Sequence, residues 1–87
     1  MSKDIIFAPN AWEEFLEWQV ENKQIFKKIN ELIKDIVRNP FEGLGKPEPL
    51  KHELADYWSR RIDKEHRIVY LVGEDYIKIM RCKRHYE

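Results

Sequence analysis

An apolar stripe with helical spacing constrains the fold of this chain more than any other feature. Its members recur every three or four residues between positions 25 and 37: Ile25, Phe26, Ile29, Leu32, Ile33, Ile36 and Val37. Such spacing predicts an amphipathic helix with one buried face, and charged residues fill the other side. Asn39-Pro40 ends this helix, because the residue before a proline disfavours the helical conformation.

The segment before this stripe predicts a short strand and another helix. Residues 4–8 have strand character. Asn10 is the expected N-cap of the first helix, with the acid Glu13 at its third position. Apolar residues keep helical spacing to about Glu21, and Asn22 interrupts the pattern. The two helices are expected to pack as an antiparallel hairpin, with three aromatic residues in the core: Trp12, Phe15 and Phe26.

Prolines and glycines concentrate between residues 39 and 50, which predicts a loop. Three strand-like segments follow at residues 57–62, 66–72 and 76–84, separated by connections of hairpin length. The order β-α-α-β-β-β predicts one α+β domain over residues 1–87, with the helices on one face of an antiparallel sheet.

Composition and charge narrow the classes of function. No apolar run is long enough to span a membrane, and we expect no signal peptide. The single cysteine, Cys82, is expected to be a small buried residue in a reducing cytoplasm. Sixteen acidic and sixteen basic residues cancel, but every arginine lies after residue 37. This distribution fits an anionic ligand and equally fits the solvated face of an antiparallel sheet. Four acids are expected to form a solvated face of the first helix: Glu13, Glu14, Glu17 and Glu21.

Metal-independent phosphodiester cleavage is one chemistry that the sequence allows. The histidines lack the spacing of a metal site, and no glycine-rich phosphate loop is present. Cleaving RNA without a metal needs a base, an acid and cations. His85 is the candidate acid because histidine titrates near neutral pH, and Glu48, between two prolines, is the candidate base. Three residues are candidate cations: Lys51, Arg61 and Arg67.

Each of these residues also has a simpler interpretation. The pattern alone favours an exposed loop acid at Glu48 and allows His85 to be a terminal residue without a role. Strand alternation would aim Arg61 and Arg67 at one point, but both could equally pair with nearby acids. Trp58 is expected in the core in preference to a base-stacking surface.

Four runs of the sequence, taken together, resemble one known family. They are residues 45–52 (GKPEPLKH), residues 58–62 (WSRRI), residues 65–70 (EHRIVY) and the pair His85-Tyr86. The resemblance is to the YoeB (Txe) toxins of the RelE-like superfamily, which are ribosome-dependent messenger-RNA endoribonucleases. It covers nearly the whole chain in order and implies a RelE-like fold, with two helices on a twisted, mostly antiparallel sheet.

The same resemblance implies a toxin of a type II toxin-antitoxin system that cuts messenger RNA in the ribosomal A site. Cleavage would leave a 2′,3′-cyclic phosphate and a 5′-hydroxyl, without a metal or other cofactor. The implied catalytic residues are Glu48 as base, His85 as acid, Arg67 for the transition-state phosphate and Tyr86 for orientation, with Lys51 and Arg61 binding substrate.

The implied partners are the ribosome with its message and a YefM-like antitoxin. Operator DNA would be bound only through the complex with the antitoxin. The small core makes a homodimer an open alternative. Two other functions stay open: a ParE-like gyrase poison, and a module that binds the ribosomal A site without cutting.

Overall fold

The computed structural model describes residues 3–84, where two helices and five strands form an α+β fold. The elements follow in chain order: β1 Asp4–Phe7, α1 Pro9–Glu21, α2 Lys23–Arg38, β2 Glu48–Pro49, β3 Tyr57–Arg61, β4 Arg67–Val72 and β5 Tyr76–Arg81. A short 3₁₀ turn, His52–Leu54, lies between β2 and β3. The predicted fold class is confirmed. Neither helix of this part of the chain has the length and apolarity needed to cross a bilayer.

The strands form one sheet in the order β1-β5-β4-β3-β2. The pairing of β1 with β5 is parallel, and the other three pairings are antiparallel. The sheet is therefore mostly antiparallel, as the family resemblance implied. Two strands that are nearly a full chain length apart in sequence lie side by side at one edge.

The core lies between the helices and one face of the sheet. The stripe of α2 supplies Ile29, Leu32, Ile33 and Ile36, and the sheet supplies Ile68, Tyr70, Ile77 and Ile79. Burial of each such side chain stabilises the folded state by about 1.5–3 kcal/mol. The predicted buried face of the second helix is confirmed.

The first helix begins differently from the prediction. Ala8 is its N-cap and Pro9 occupies the first turn, so the prediction of Asn10 as N-cap is wrong. Proline suits this position because the first turn needs no N–H donor and its φ is already helical. Asn22 does interrupt the helices as predicted, and its side chain accepts hydrogen bonds from two N–H groups in the first turn of α2.

Three aromatic residues of the helices, Trp12, Phe15 and Phe26, are exposed or only partly buried, whereas Trp18 of α1 is buried in the core. Trp12 is 47% exposed, so the prediction that it is a core residue is wrong. It stacks on Phe15, which is half-buried against the core like Phe26. Trp58 packs against the core and against the ring of Phe41, which confirms its predicted place.

The strand β2 was not predicted, since its two residues lie within the proline-rich loop. Glu48 pairs with Ser59, and Pro49 pairs with Trp58 of β3. Proline has no N–H for a ladder, so within sheets it is confined to edges and bulges, and β2 is an edge strand.

Glu14 is buried, so the predicted solvated acidic face of α1 is wrong at this position. Its carboxylate accepts hydrogen bonds from the Cys82 N–H at 2.8 Å and from Arg81 Nε at 2.9 Å. The first bond draws the Cys82 N–H to α1, and β5 therefore ends at Arg81, three residues before the predicted end at 84.

Other residues of α1 hold the segment that follows β5. Trp18 Nε1 donates to the Cys82 carbonyl at 2.9 Å. Lys83 pairs with Glu17 at 2.6 Å and with Glu21 at 3.1 Å. The hydrogen bond between Lys83 and Glu17 lowers the pKa of the Glu17 carboxyl and raises the pKa of Lys83. The acidic side of α1 is therefore a clamp for the chain after β5.

Replacing Glu14 by alanine is expected to lower the free energy of unfolding by about 1–3 kcal/mol, because the buried Cys82 N–H loses its acceptor. Urea denaturation measures the loss. The matched control is Glu13→Ala at the exposed neighbouring position, where a change within about 0.5 kcal/mol is expected. Equal losses in the two variants would contradict a clamping role for Glu14.

Candidate active site

In residues 3–84 the helices pack against one face of the sheet, and the opposite face carries both buried side chains, Ser59 and Val69, and exposed ones such as Arg61. Side chains alternate along a strand, and Ile68 and Tyr70 of β4 belong to the core beneath the helices. The alternate residues of β4, Arg67, Val69 and Leu71, therefore project from the opposite face of the sheet, which we call the open face. The register of β3 and β4 places three pairs on this face: Tyr57 with Leu71, Ser59 with Val69, and Arg61 with Arg67.

The candidate base lies on the same open face. Glu48 is exposed and is paired with Ser59, which makes Arg61 its diagonal neighbour. Such neighbours have Cα atoms about 7–8 Å apart in antiparallel sheets. The structure thus brings Glu48, Arg61 and Arg67 to one surface. Lys51 is exposed two residues after β2.

The turn between β3 and β4 orients Arg67. Its Nη1 donates to the carbonyls of Asp63 at 2.8 Å and His66 at 3.0 Å. The Asp63 carboxylate is itself held by the N–H groups of Glu65 and His66, at 2.9 Å and 2.6 Å. Within residues 3–84 neither Arg61 nor Arg67 forms an ion pair, so the interpretation of both as acid-paired strand residues is wrong.

His66 and Arg67, where β4 begins, hydrogen-bond to the last residue that the structure describes. The Arg67 N–H donates to the Arg84 carbonyl at 3.0 Å, and the Arg84 N–H donates to Nδ1 of His66 at 2.7 Å. The candidate acid His85 and the predicted orienting residue Tyr86 follow directly in the sequence and lie outside the described residues.

A cavity of about 510 Å³ opens on the same side of the sheet. Leu54, Tyr57, Val69 and Met80 supply apolar wall, and Asn10 and Arg81 supply polar groups. Tyr57 and Val69 flank Ser59 on the open face, so the cavity adjoins the surface that carries Glu48. Its lining comes from distant segments, which is why no local pattern predicted it.

Arg60, which the sequence analysis did not single out, is fully buried on the helix side of β3. Five acceptors receive its five N–H donors: the Tyr70 hydroxyl, the Asp35 carboxylate and the carbonyls of Asn39, Glu42 and Leu44. Strand alternation could have predicted this burial, because it puts Arg60 on the same face of β3 as Trp58 and on the opposite face from Arg61.

Acidification is expected to destabilise the protein in part through Asp35. A hydrogen bond from the Leu44 N–H at 2.9 Å, together with the bond from Arg60, lowers the pKa of the Asp35 carboxyl. A lowered folded-state pKa gives stabilisation that is complete above the unfolded pKa and is lost as pH falls through the folded one. The urea midpoint should therefore decrease as the pH drops below the ordinary aspartate pKa of 3.8.

The matched variant for this test is Asp35→Asn, which cannot titrate. Its urea midpoint should be lower than that of the wild type at neutral pH and should fall less on acidification. Identical pH dependence in the two proteins would exclude Asp35 as a source of the acid sensitivity.

The remaining candidate chemistry on the described chain is weak. Cys82 is fully buried, and burial raises the pKa of its thiol to about 12, so it is the buried residue that was predicted and not a nucleophile. In residues 3–84, no group of three His, Cys, Asp or Glu side chains is placed to hold a metal ion.

Comparison with known proteins identifies the class. Residues 7–86 match a family model described as the YoeB-like toxin of bacterial type II toxin-antitoxin systems. Together with the fold, this match makes the chain a toxin of a type II toxin-antitoxin system.

Relatives and solved structures agree with this class. The toxin YoeB of Escherichia coli K12 is 56% identical over 82 residues, which are 94% of this chain and 98% of the relative. The YoeB dimer from Staphylococcus aureus has a TM-score of 0.90 and 52% identity, covering 97% of this chain and 98% of the other. The YoeB-YefM complex from the same species has a TM-score of 0.89 and 53% identity, with the same coverage. The chain belongs to the YoeB family.

Proposed function

We propose that this toxin is a metal-independent endoribonuclease that cleaves messenger RNA in the ribosomal A site. The observation that supports this most is the arrangement of Glu48, Arg61 and Arg67 on one face of the sheet, opposite to the helices. A carboxylate beside two guanidinium groups is suited to moving a proton next to a phosphate.

In the proposed reaction, Glu48 removes the proton from a ribose 2′-hydroxyl. The 2′-oxygen attacks the adjacent phosphorus, the bond from phosphorus to the 5′-oxygen breaks, and His85 protonates that leaving oxygen. The products are a 2′,3′-cyclic phosphate and a 5′-hydroxyl. The reaction as proposed uses no cofactor, because Glu48 accepts the proton of the 2′-hydroxyl and His85 supplies the proton for the leaving oxygen.

The cations have separate proposed tasks. Arg67 stabilises the negative charge that develops on the phosphorane, and the turn carbonyls that hold its Nη1 keep the guanidinium oriented. Arg61 and Lys51 bind neighbouring phosphates, and Tyr86 orients the substrate or the acid. The cavity beside Glu48 gives the RNA chain an apolar surface next to these charges.

The proposed dependence on the ribosome follows from the openness of this site. Glu48 is exposed on a two-residue edge strand, and a single exposed carboxylate orients free RNA poorly. Alignment of reactants is worth up to about 7–11 kcal/mol in well-oriented systems. The ribosome would supply that alignment by holding the codon.

The proposed partners follow the relatives. A YefM-like antitoxin neutralises the toxin, by analogy with the complex that YoeB of Staphylococcus aureus forms with YefM. Operator DNA is bound only through the toxin-antitoxin complex. A homodimer is proposed by analogy with the YoeB dimer from the same species. The site of action is the bacterial cytoplasm, where translated messages are found.

The test is primer extension on a message translated in vitro, with and without the protein, repeated on free RNA. We expect new stops at A-site codons that appear only when ribosomes are present. Translation arrest with an intact message would instead indicate a ribosome binder that does not cut. No effect on message or translation would exclude both, and a gyrase supercoiling assay would then be decisive.

A further inference from the structure

We infer that Arg60 is a positioning residue of the proposed nuclease site. Its buried guanidinium holds the segment of residues 39–45, and this segment determines where β2 presents Glu48. The inference rests on the proposed function and concerns how the base is kept in place.

The Arg60 guanidinium has a hydrogen-bond acceptor for each of its N–H donors. Arg60 is fully buried, yet all of its N–H donors have acceptors, and three of these are the carbonyls of Asn39, Glu42 and Leu44. These carbonyls belong to a stretch without helix or strand. A loop of this kind is normally the mobile part of a domain. Here the Arg60 side chain forms hydrogen bonds with the loop backbone at three residues.

Two further side chains complete this anchor. The Tyr70 hydroxyl accepts from Arg60 Nε at 3.1 Å and donates to the Pro40 carbonyl at 2.7 Å. The Asp35 carboxylate accepts from Arg60 and also from the Leu44 N–H at 2.9 Å. The loop is thus fixed through both its carbonyls and an N–H group, to residues from α2, β3 and β4.

The loop lies so close to this anchor that two positions require glycine. Gly43 has φ +122°, and a Cβ there would overlap the Asp35 carboxylate. Gly45 has φ +79°, and a Cβ there would lie 2.9 Å from the Arg61 carbonyl. Both backbones are in the region that L side chains rarely adopt. The segment therefore has one well-defined path.

That path leads directly to the candidate base. The Gly45 carbonyl accepts from the Arg61 N–H at 2.7 Å, and β2 begins three residues later with Glu48. On the far side of β2, the Leu50 N–H donates to the Tyr57 carbonyl at 2.9 Å. A strand of two residues has little ladder of its own, so these flanking anchors set its position. Misplacement of a reacting group by about 1 Å can cost about 10²-fold in rate.

The test perturbs the anchor from two independent sides. Tyr70→Phe removes the acceptor of Arg60 Nε and frees the Pro40 carbonyl, whereas Gly43→Ala pushes the loop away from Asp35. The control is Ile77→Val, a buried core change outside the anchor. Cleavage of ribosome-bound message is measured at a temperature where every variant is fully folded. We expect kcat to fall at least tenfold in both anchor variants, KM to change less than twofold, and the control to keep wild-type kcat.

Amide hydrogen exchange gives a readout that does not depend on activity. Pro47 and Pro49 have no backbone N–H, so the readout is exchange of the Lys46, Glu48 and Leu50 amides. It should accelerate at least tenfold in both anchor variants and stay unchanged in Ile77→Val. Wild-type kcat in the anchor variants, or unchanged exchange at these amides, would overturn the inference. If the wild type itself does not cut, the proposed function fails, while the exchange result still decides whether the anchor positions β2.

Discussion

Replacing Glu48 by glutamine is expected to lower kcat for message cleavage by about 10²–10⁴-fold, which is the usual contribution of a positioned general base. Glutamine has nearly the same shape but cannot accept the proton of the 2′-hydroxyl. KM should change little, because the cations proposed to bind the phosphates, Arg61 and Arg67, remain on the open face. Single-turnover cleavage of a message held on stalled ribosomes measures the effect.

The matched control for this experiment is Glu53→Gln. Glu53 is an exposed acid in the 3₁₀ turn that follows β2, so the change in net charge is the same and the surface is nearby. Its kcat should stay within twofold of the wild type. If Glu48→Gln cuts as fast as this control, another group removes the proton and the proposed role of Glu48 is wrong.

Replacing Arg60 by methionine is expected to lower the free energy of unfolding by about 3–5 kcal/mol, since it removes one partner of an ion pair whose guanidinium is fully buried. Domains of this kind are stable by only about 5–15 kcal/mol. Besides Asp35, three loop carbonyls lose their donor. The free energy of unfolding in urea is the quantity to measure.

The control for Arg60 is its neighbour in sequence. Arg61 lies on the opposite side of β3 and is exposed, so Arg61→Met should change stability by no more than about 0.5 kcal/mol. A similar loss in both variants would mean that the buried hydrogen bonds of Arg60 contribute nothing beyond those of a surface arginine.

The elements with a strong internal pattern could be predicted from the sequence. The stripe of α2 repeats over more than three turns, and it is buried as expected. The three strands after the proline-rich loop were found to within a few residues because short turns separate them. Alternation along β3 and β4 also predicted that Arg61 and Arg67 would share a face, and the register confirms this.

Features that depend on distant residues could not be predicted. Glu14 looks like any other acid of α1, and its burial is explained by its partners at the end of β5, the Arg81 side chain and the Cys82 N–H. Trp12 has the right spacing for a core residue but stays half exposed, with its ring against Phe7 and Phe15. The two residues of β2 carry no strand pattern of their own, and they become a strand only through their pairing with β3.

The parallel pairing of β1 with β5 has a consequence for the order in which the toxin is completed. In a chain still under synthesis, β1 and α1 emerge long before Tyr76 to Arg81, and β1 has no partner until those residues follow. Pairings between remote segments also form slowly, because the long intervening loop must close first. A nascent toxin therefore cannot finish its sheet until Tyr76 to Arg81 have left the ribosome, and the edge of the sheet that β1 forms is completed after the helices have been synthesised.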